Sequence, residues 1–219
     1  MLVIHDLEFS RSQRVVWLLE ELGVPYQVQT YKRDPATFLA PPELKAIHPL
    51  GKAPVITDEG LTIAETGAIL EYLVDRYGDG RFIPAAGAPE RLRYTYWMHY
   101  AEGSLMTVYL MALVSGMFAG RPGLVDAAMS PDPGAPKIPA DFVPRQLALH
   151  LDYVDGELGK SNWFAGNEPT AADVNMLFPI QLAAAMGQIA SRPNLGAFLA
   201  RVQQRPNYQK AMKRCGPSF

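Results

Sequence analysis

The chain has 219 residues, 48% of them apolar and 19% charged, which excludes a disordered or fibrous protein and supplies material for a core. Twenty lysines and arginines against 22 aspartates and glutamates leave a formal net charge of −2, so no global electrostatic case exists for nucleic acid or an anionic membrane as partner. The single cysteine, Cys215, excludes an intrachain disulfide and a CxxC site, and neither a spanning apolar run nor a signal peptide is visible, so a cytoplasmic protein without a metal is expected.

Residues 2–6 read as a short apolar strand. Val15, Leu18, Leu19 and Leu22 recur at i, i+3, i+4 and i+7, one face of a helix that Gly23 and Pro25 bring to a stop. Tyr26, Val28 and Thr30 alternate with polar residues and predict a second strand. Residues 34–50 carry Pro35, Pro41, Pro42 and Pro49 and predict irregular chain with at most a short helix. Segments 54–57 and 61–64 flank Asp58-Glu59-Gly60, a hairpin signal. A helix over 66–77 follows, with Ala68, Ile69, Tyr72, Leu73 and Tyr77 expected on its buried face and Gly78 as its stop. The order βαβ then ββα predicts a small mixed sheet with helices on its faces.

The segment 81–88 is rich in Pro, Gly and Ala and reads as a linker between a first domain, 1–80, and a helical domain, 89–219. Pro89 suits the first position of a long helix over 89–118. Residues 119–139 read as a long loop, and a second long helix is predicted over 141–159. Thr170-Ala171-Ala172-Asp173 is a capping box that opens a helix to about residue 186, followed by shorter helices near 194–204 and 206–214. Thr170 and Asp173 are therefore expected to serve folding rather than chemistry.

Four motifs carry a resemblance. They are Phe9-Ser10-Arg11-Ser12-Gln13-Arg14, Ile47-His48-Pro49-Leu50-Gly51-Lys52-Ala53-Pro54, Glu65-Thr66-Gly67-Ala68-Ile69 and the capping box. In this order and spacing the chain resembles the cytosolic glutathione transferases of the serine type. The stretch from Trp97 to Met106 is similar to their fungal and bacterial branch. The resemblance implies an α+β thioredoxin-like domain that binds glutathione, then an all-α domain with electrophile-site and dimer contacts. It also implies a homodimer, glutathione as co-substrate and no metal. The activity implied is attack of the glutathione thiolate on hydrophobic electrophiles, of the detoxification type. Glutathione-dependent peroxidase, isomerase or dehalogenase activity is the alternative, and a non-enzymatic binding module of the same fold is another.

The residues fit such chemistry. A free cysteine thiol has a pKa of ~8.5, so only ~3% is ionised at pH 7. Lowering the pKa by ~2 units takes ~2.7 kcal/mol. One hydroxyl bonded to the anion supplies ~1.5–3 kcal/mol and a helix N-terminus ~0.3–1 kcal/mol. A serine at a helix start is thus sufficient, and Ser10 is the candidate. Ser12 is its rival, but in the family pattern the active hydroxyl lies four residues before an arginine, as Ser10 does before Arg14. Arg14 itself reads as structural.

Further contacts follow from the resemblance. Ala53 before a cis Pro54 would bond the cysteinyl backbone of glutathione. Glu65 would take its α-ammonium, and Thr66 with the helix N-terminus its α-carboxylate. Lys52 would face the glycine carboxylate, and His48 either holds that end or braces the loop. Met106, Tyr109 and Leu110, at i, i+3 and i+4, are expected to line the electrophile pocket, with Leu7 and Phe9 as the opposite wall. Glu102 contacts glutathione, a partner subunit or a local cation. His5, His99 and His150 lack metal-ligand spacing, and Cys215 reads as inert.

Overall fold

The computed structural model describes residues 1–117, 139 and 141–216. The first half is a four-stranded sheet of order β2-β1-β3-β4, built from β1 (Leu2–Leu7), β2 (Tyr26–Tyr31), β3 (Val55–Asp58) and β4 (Leu61–Ala64). β1 runs parallel to β2 in the register Leu2 to Tyr26 and antiparallel to β3, and β3 pairs antiparallel with β4. The parallel pair needs a crossover, which α1 (Gln13–Leu22) provides. Gly23 closes α1 with φ 72°, a left-handed conformation that costs glycine nothing.

More of α1 is buried than one face. Val16 and Trp17 are buried beside Val15, Leu18 and Leu19, because helices of the second half cover the side away from the sheet. α2 (Pro42–Ile47) is the short helix in the proline-rich stretch. In α3 (Thr66–Tyr77) the buried face is Ile69, Leu70, Leu73 and Val74. Ala68 is exposed, contrary to expectation, and Tyr72 and Tyr77 are only half-buried. Both tyrosine hydroxyls donate to Asp58 at the end of β3, which holds the rings at the edge. Gly78 ends α3 without a left-handed turn: its φ is −74°, and a Cβ there would meet the Val74 carbonyl oxygen at 2.2 Å.

The helices of the second half are α4 (Pro89–Tyr100), α5 (Met106–Met117), α6 (Phe142–Leu158), α7 (Ala171–Ala185), α8 (Pro193–Gln203) and α9 (Pro206–Cys215). The long helix expected over 89–118 is interrupted between α4 and α5 by one π-helical segment, Ala101–Leu105. Its end at Phe118 and the loop expected over 119–139 lie outside the described residues, save residue 139. Trp97, Phe164 and Phe198 form an aromatic chain through this core, with ring centroids 4.6 and 5.3 Å apart. Asp173 is fully buried at the start of α7. Its carboxylate accepts the Phe164 N–H at 2.8 Å, the Thr170 N–H at 2.7 Å and the Thr170 hydroxyl at 2.9 Å. Burial pushes its carboxyl up to about 6 against these bonds.

The segment between the halves is packed against both. Arg81 donates to the Leu22 carbonyl at 2.8 Å, and the Phe82 carbonyl accepts the Ala171 N–H at 2.8 Å. Glu21 on α1 receives Arg205 at 2.5 Å, Asn207 at 3.1 Å and Trp17 at 2.8 Å, tying α1 to the start of α9. No helix among the described residues is long and apolar enough to cross a membrane.

Candidate active site

A cleft of about 790 Å³ lies where the loop after β1, the turn before β3, the start of α3 and the helix α5 meet. Its first wall begins at the end of β1. Phe9 takes φ 55°, a left-handed turn that brings Ser10 to the cleft. The Ser10 hydroxyl donates to Asp6 Oδ1 at 3.0 Å and lies 2.8 Å from Ser12 Oγ. Ser12 is fully buried and occupies the N-cap of α1, where its side chain makes no cap bond. Ser10, half-buried, borders the cleft, and Ser12 lies behind it. Burial raises the Asp6 carboxyl above its usual range, opposed by bonds from Ser12 and Ser10.

The second wall is the turn before β3. The Ala53–Pro54 peptide is cis, and both residues border the cleft. Lys52 is exposed on this side, and His48, the residue after α2, turns a buried Nδ1 with no hydrogen-bond partner among the described residues.

The third wall is the start of α3. Glu65 holds φ 69° with its side chain exposed, and Thr66 is the first helical residue rather than the cap. The Thr66 hydroxyl accepts Arg14 Nη2 at 3.1 Å, which leaves its own proton to donate. A hydroxyl donor beside helix N–H groups suits a carboxylate, and an exposed Glu65 next to it suits an ammonium.

Arg14 is fully buried beneath this floor. It donates to the Asn175 carbonyl at 2.7 Å, to Asn175 Oδ1 at 2.9 Å and to Glu102 Oε1 at 2.7 Å. Burial lowers its pKa to about 10, against the pull of Glu102, so it stays a cation at neutral pH. Glu102, from the π segment, also takes Arg11 Nη1 at 2.6 Å. Local cations thus account for Glu102, and Arg14 is structural as its position suggested.

Leu7, Phe9 and Leu110 border the apolar side. Met106 and Tyr109 do not. Both are buried in the core, and the Tyr109 hydroxyl donates to Gln188 at 3.1 Å. Leu113 and Phe178 stand there instead, and Arg11 packs over the Phe178 ring at 5.0 Å. Leu113 is legible as i+3 from Leu110. Phe178 is not, because α7 is buried on all sides and gives no periodic signal. Away from the cleft, His5 bonds Tyr31 and Thr57, and His150 bonds Tyr100. Among the described residues no three His, Cys, Asp or Glu side chains gather to hold a metal ion.

The family model for the N-terminal domain of glutathione S-transferase matches residues 9–76, and that for the C-terminal domain matches 121–206. Glutathione S-transferase 3 of Schizosaccharomyces pombe is 35% identical over 217 residues, 94% of this chain and 84% of the relative. The chain belongs to the glutathione S-transferase family. It is an enzyme of that family, with glutathione as co-substrate and with the thioredoxin-like sheet half followed by a helical half. Glutathione S-transferase 1 of Saccharomyces cerevisiae is 30% identical over 82% of this chain and 80% of its own length. The crystal structure of a glutathione S-transferase from Actinobacillus pleuropneumoniae, 36% identical, superposes with a TM-score of 0.83 over 98% of this chain and 93% of that one. A sphingomonad glutathione S-transferase solved with glutathione shares the fold at 23% identity, with a TM-score of 0.74 over 98% of each chain.

Proposed function

We propose that the cleft binds glutathione with its sulfur at Ser10 and transfers it to hydrophobic electrophiles, a detoxification-type conjugation. The observation that carries this reading is the convergence of Ser10, the cis Ala53–Pro54 turn and the Glu65–Thr66 helix start on one cleft. Glu65 and Thr66 hold the γ-glutamyl head, the Ala53 backbone pairs with the cysteinyl unit, and Lys52 with His48 takes the glycine carboxylate. The Ser10 hydroxyl stabilises the thiolate by a charge-assisted bond. Leu7, Phe9, Leu110, Leu113 and Phe178 form the apolar wall that holds the electrophile over the sulfur.

Residues 1–80 then act as the glutathione-binding domain, 81–88 as the connection and 89–219 as the domain of electrophile and dimer contacts. A homodimer is supported by the exposed Leu92 and Tyr96 on α4 and the exposed Leu149 and Tyr153 on α6. The cytoplasm, where glutathione is reduced, is the matching compartment.

Retention on immobilised glutathione and conjugation of an aryl halide test the reading, with sedimentation for the dimer. A protein that binds the column and conjugates the halide supports it. A protein that does neither removes it.

A further inference from the structure

Two phenylalanines stand in solvent beside the cleft. Phe9 is 68% exposed and Phe38, on the loop between β2 and α2, is 59% exposed. Their rings stack, with centroids 6.2 Å apart and planes 23° from parallel. Each residue takes a left-handed backbone, φ 55° at Phe9 and 59° at Phe38, a conformation that bulky side chains rarely accept. Neither ring returns much burial for that strain, so the core does not explain the pair.

Arg33, the second residue after β2, ties the two loops together. Its Nε donates to the Glu8 carbonyl, just before Phe9, at 2.8 Å, and its Nη1 donates to the Phe38 carbonyl at 3.0 Å. The guanidinium also lies over the Phe38 ring, 4.7 Å from its centroid. Asp34 closes the loop that carries Phe38, accepting the Thr37 N–H at 2.7 Å, the Thr37 hydroxyl at 2.8 Å and the Ala36 N–H at 3.0 Å. An exposed aromatic side chain ordinarily changes rotamer within nanoseconds. Stacked on a braced neighbour, Phe9 is held in one orientation instead. Phe9 borders the cleft, and Ser10 follows it directly in the chain.

We propose that Phe38 holds the Phe9 ring as a flat platform beside the sulfur, and that this platform selects planar, electron-poor aromatic electrophiles over flexible alkyl ones. This rests on the assignment of the glutathione sulfur to Ser10. A flat ring gains contact over its whole face on such a platform, in the offset geometry that aromatic quadrupoles favour. Electron withdrawal, which makes an arene reactive toward a thiolate, also strengthens its stack on the negative face of Phe9. An alkyl chain covers the ring less completely and gives up torsional freedom to lie along it. The platform is ordered before the electrophile arrives, so little of the contact is lost to fixing Phe9.

The face of the arene turned from Phe9 stays open to sulfur. The sulfur electron pair forms the C–S bond, and the halide leaves with the pair of the C–halide bond. Phe38 does not itself border the cleft and acts through Phe9, so it is a positioning residue.

The test compares two electrophiles of different shape, chlorodinitrobenzene and iodohexane, at saturating glutathione. The quantity read is kcat/KM for the arene divided by kcat/KM for the iodoalkane. Phe38→Ala should lower this ratio about 2–10-fold, the contribution of one aromatic stack, through the KM for the arene. Phe38→Tyr, which keeps the stack, should hold the wild-type ratio. The bound thiolate should titrate alike in all three proteins, because Ser10 is untouched. An equal loss with both electrophiles in Phe38→Ala overturns the inference, as does a wild type that turns over only the iodoalkane. Exposed aromatic pairs also serve subunit contacts, so sedimentation accompanies the kinetics. A Phe38→Ala variant that changes its oligomeric state with the ratio intact makes the pair an interface instead. Conjugation of both electrophiles at an unchanged ratio sinks the platform and leaves Ser10 standing, whereas no bound thiolate in the wild type sinks the Ser10 assignment and the inference with it.

Discussion

Arg14 of α1 and Glu102 of the π segment meet at 2.7 Å, a contact between the sheet half and the helical half directly beneath the candidate site. Arg14 is fully buried, whereas Glu102 keeps a second cation in Arg11. The Arg14 guanidinium also satisfies Asn175 and Thr66, so its removal strands several polar groups at once. Breaking one side of such a buried cluster costs about 3–5 kcal/mol. Arg14→Met should lower the urea midpoint accordingly, with the smaller figure favoured because Arg11 still neutralises Glu102. A midpoint at the wild-type value would show that the cluster contributes nothing net.

Ser10→Ala should bind glutathione within a few-fold of wild type and form the thiolate only at higher pH. Losing a hydroxyl bond to an anion of ~1.5–3 kcal/mol corresponds to about 1–2 pH units. Ultraviolet titration of the bound thiolate reads this directly. Ser12→Ala, behind the cleft, should move the titration less, and the reverse order would transfer the role to Ser12.

Glu65 sits at φ 69°, in the region that favours glycine. Such strain costs of the order of 1–3 kcal/mol and is kept where function requires it. Glu65→Gly should therefore raise the melting temperature while weakening glutathione, whose ammonium loses its carboxylate. Calorimetric titration beside thermal unfolding checks both. Wild-type affinity in this variant would remove Glu65 from the site.

Leu110 and Met106 should separate by phenotype. Leu110→Ala shortens an exposed wall of the cleft and should raise the KM for apolar electrophiles with little effect on stability. Met106→Ala opens a core cavity and should cost about 2–5 kcal/mol with KM unchanged. Steady-state kinetics and chemical denaturation on the two variants distinguish them.

Asp173 should affect stability and its pH dependence, not turnover. Its carboxyl rises from an unfolded value of ~3.9 to about 6 in the folded chain. Between those values the folded state binds more protons than the unfolded state, so the Asp173 contribution is full below pH ~4 and is lost as pH rises through about 6. The stability of the wild type relative to Asp173→Asn should decline across that window. Activity per folded molecule should stay near wild type, and lost turnover at an unchanged melting temperature would make Asp173 a site residue.

The parts of the site made by short local motifs are legible in the sequence. Ser10, the Gly-Lys-Ala-Pro turn and the Glu65–Thr66 helix start each combine a backbone requirement with a side chain, so type and spacing suffice. The apolar wall of the cleft is less legible. Met106, Tyr109 and Leu110 do fall on one stripe of α5 at i, i+3 and i+4, but such a stripe is broad. Its period does not say which of its members meets the core, and the packing buries Met106 and Tyr109 while leaving Leu110 exposed at the edge. The Asp6–Ser10–Ser12 cluster was invisible for another reason: strand alternation says which side Asp6 faces, but not that the following loop folds back over it.

Cys215 lies at the end of α9, its thiol donating to the Ala211 carbonyl at 3.1 Å, and burial pushes its pKa up to about 12. It is the chain's single cysteine. At neutral pH almost none of it is thiolate, and the thiolate is the form that reacts. In an enzyme whose co-substrate is itself a thiol, the protein's own sulfur is thereby kept in its unreactive, protonated form.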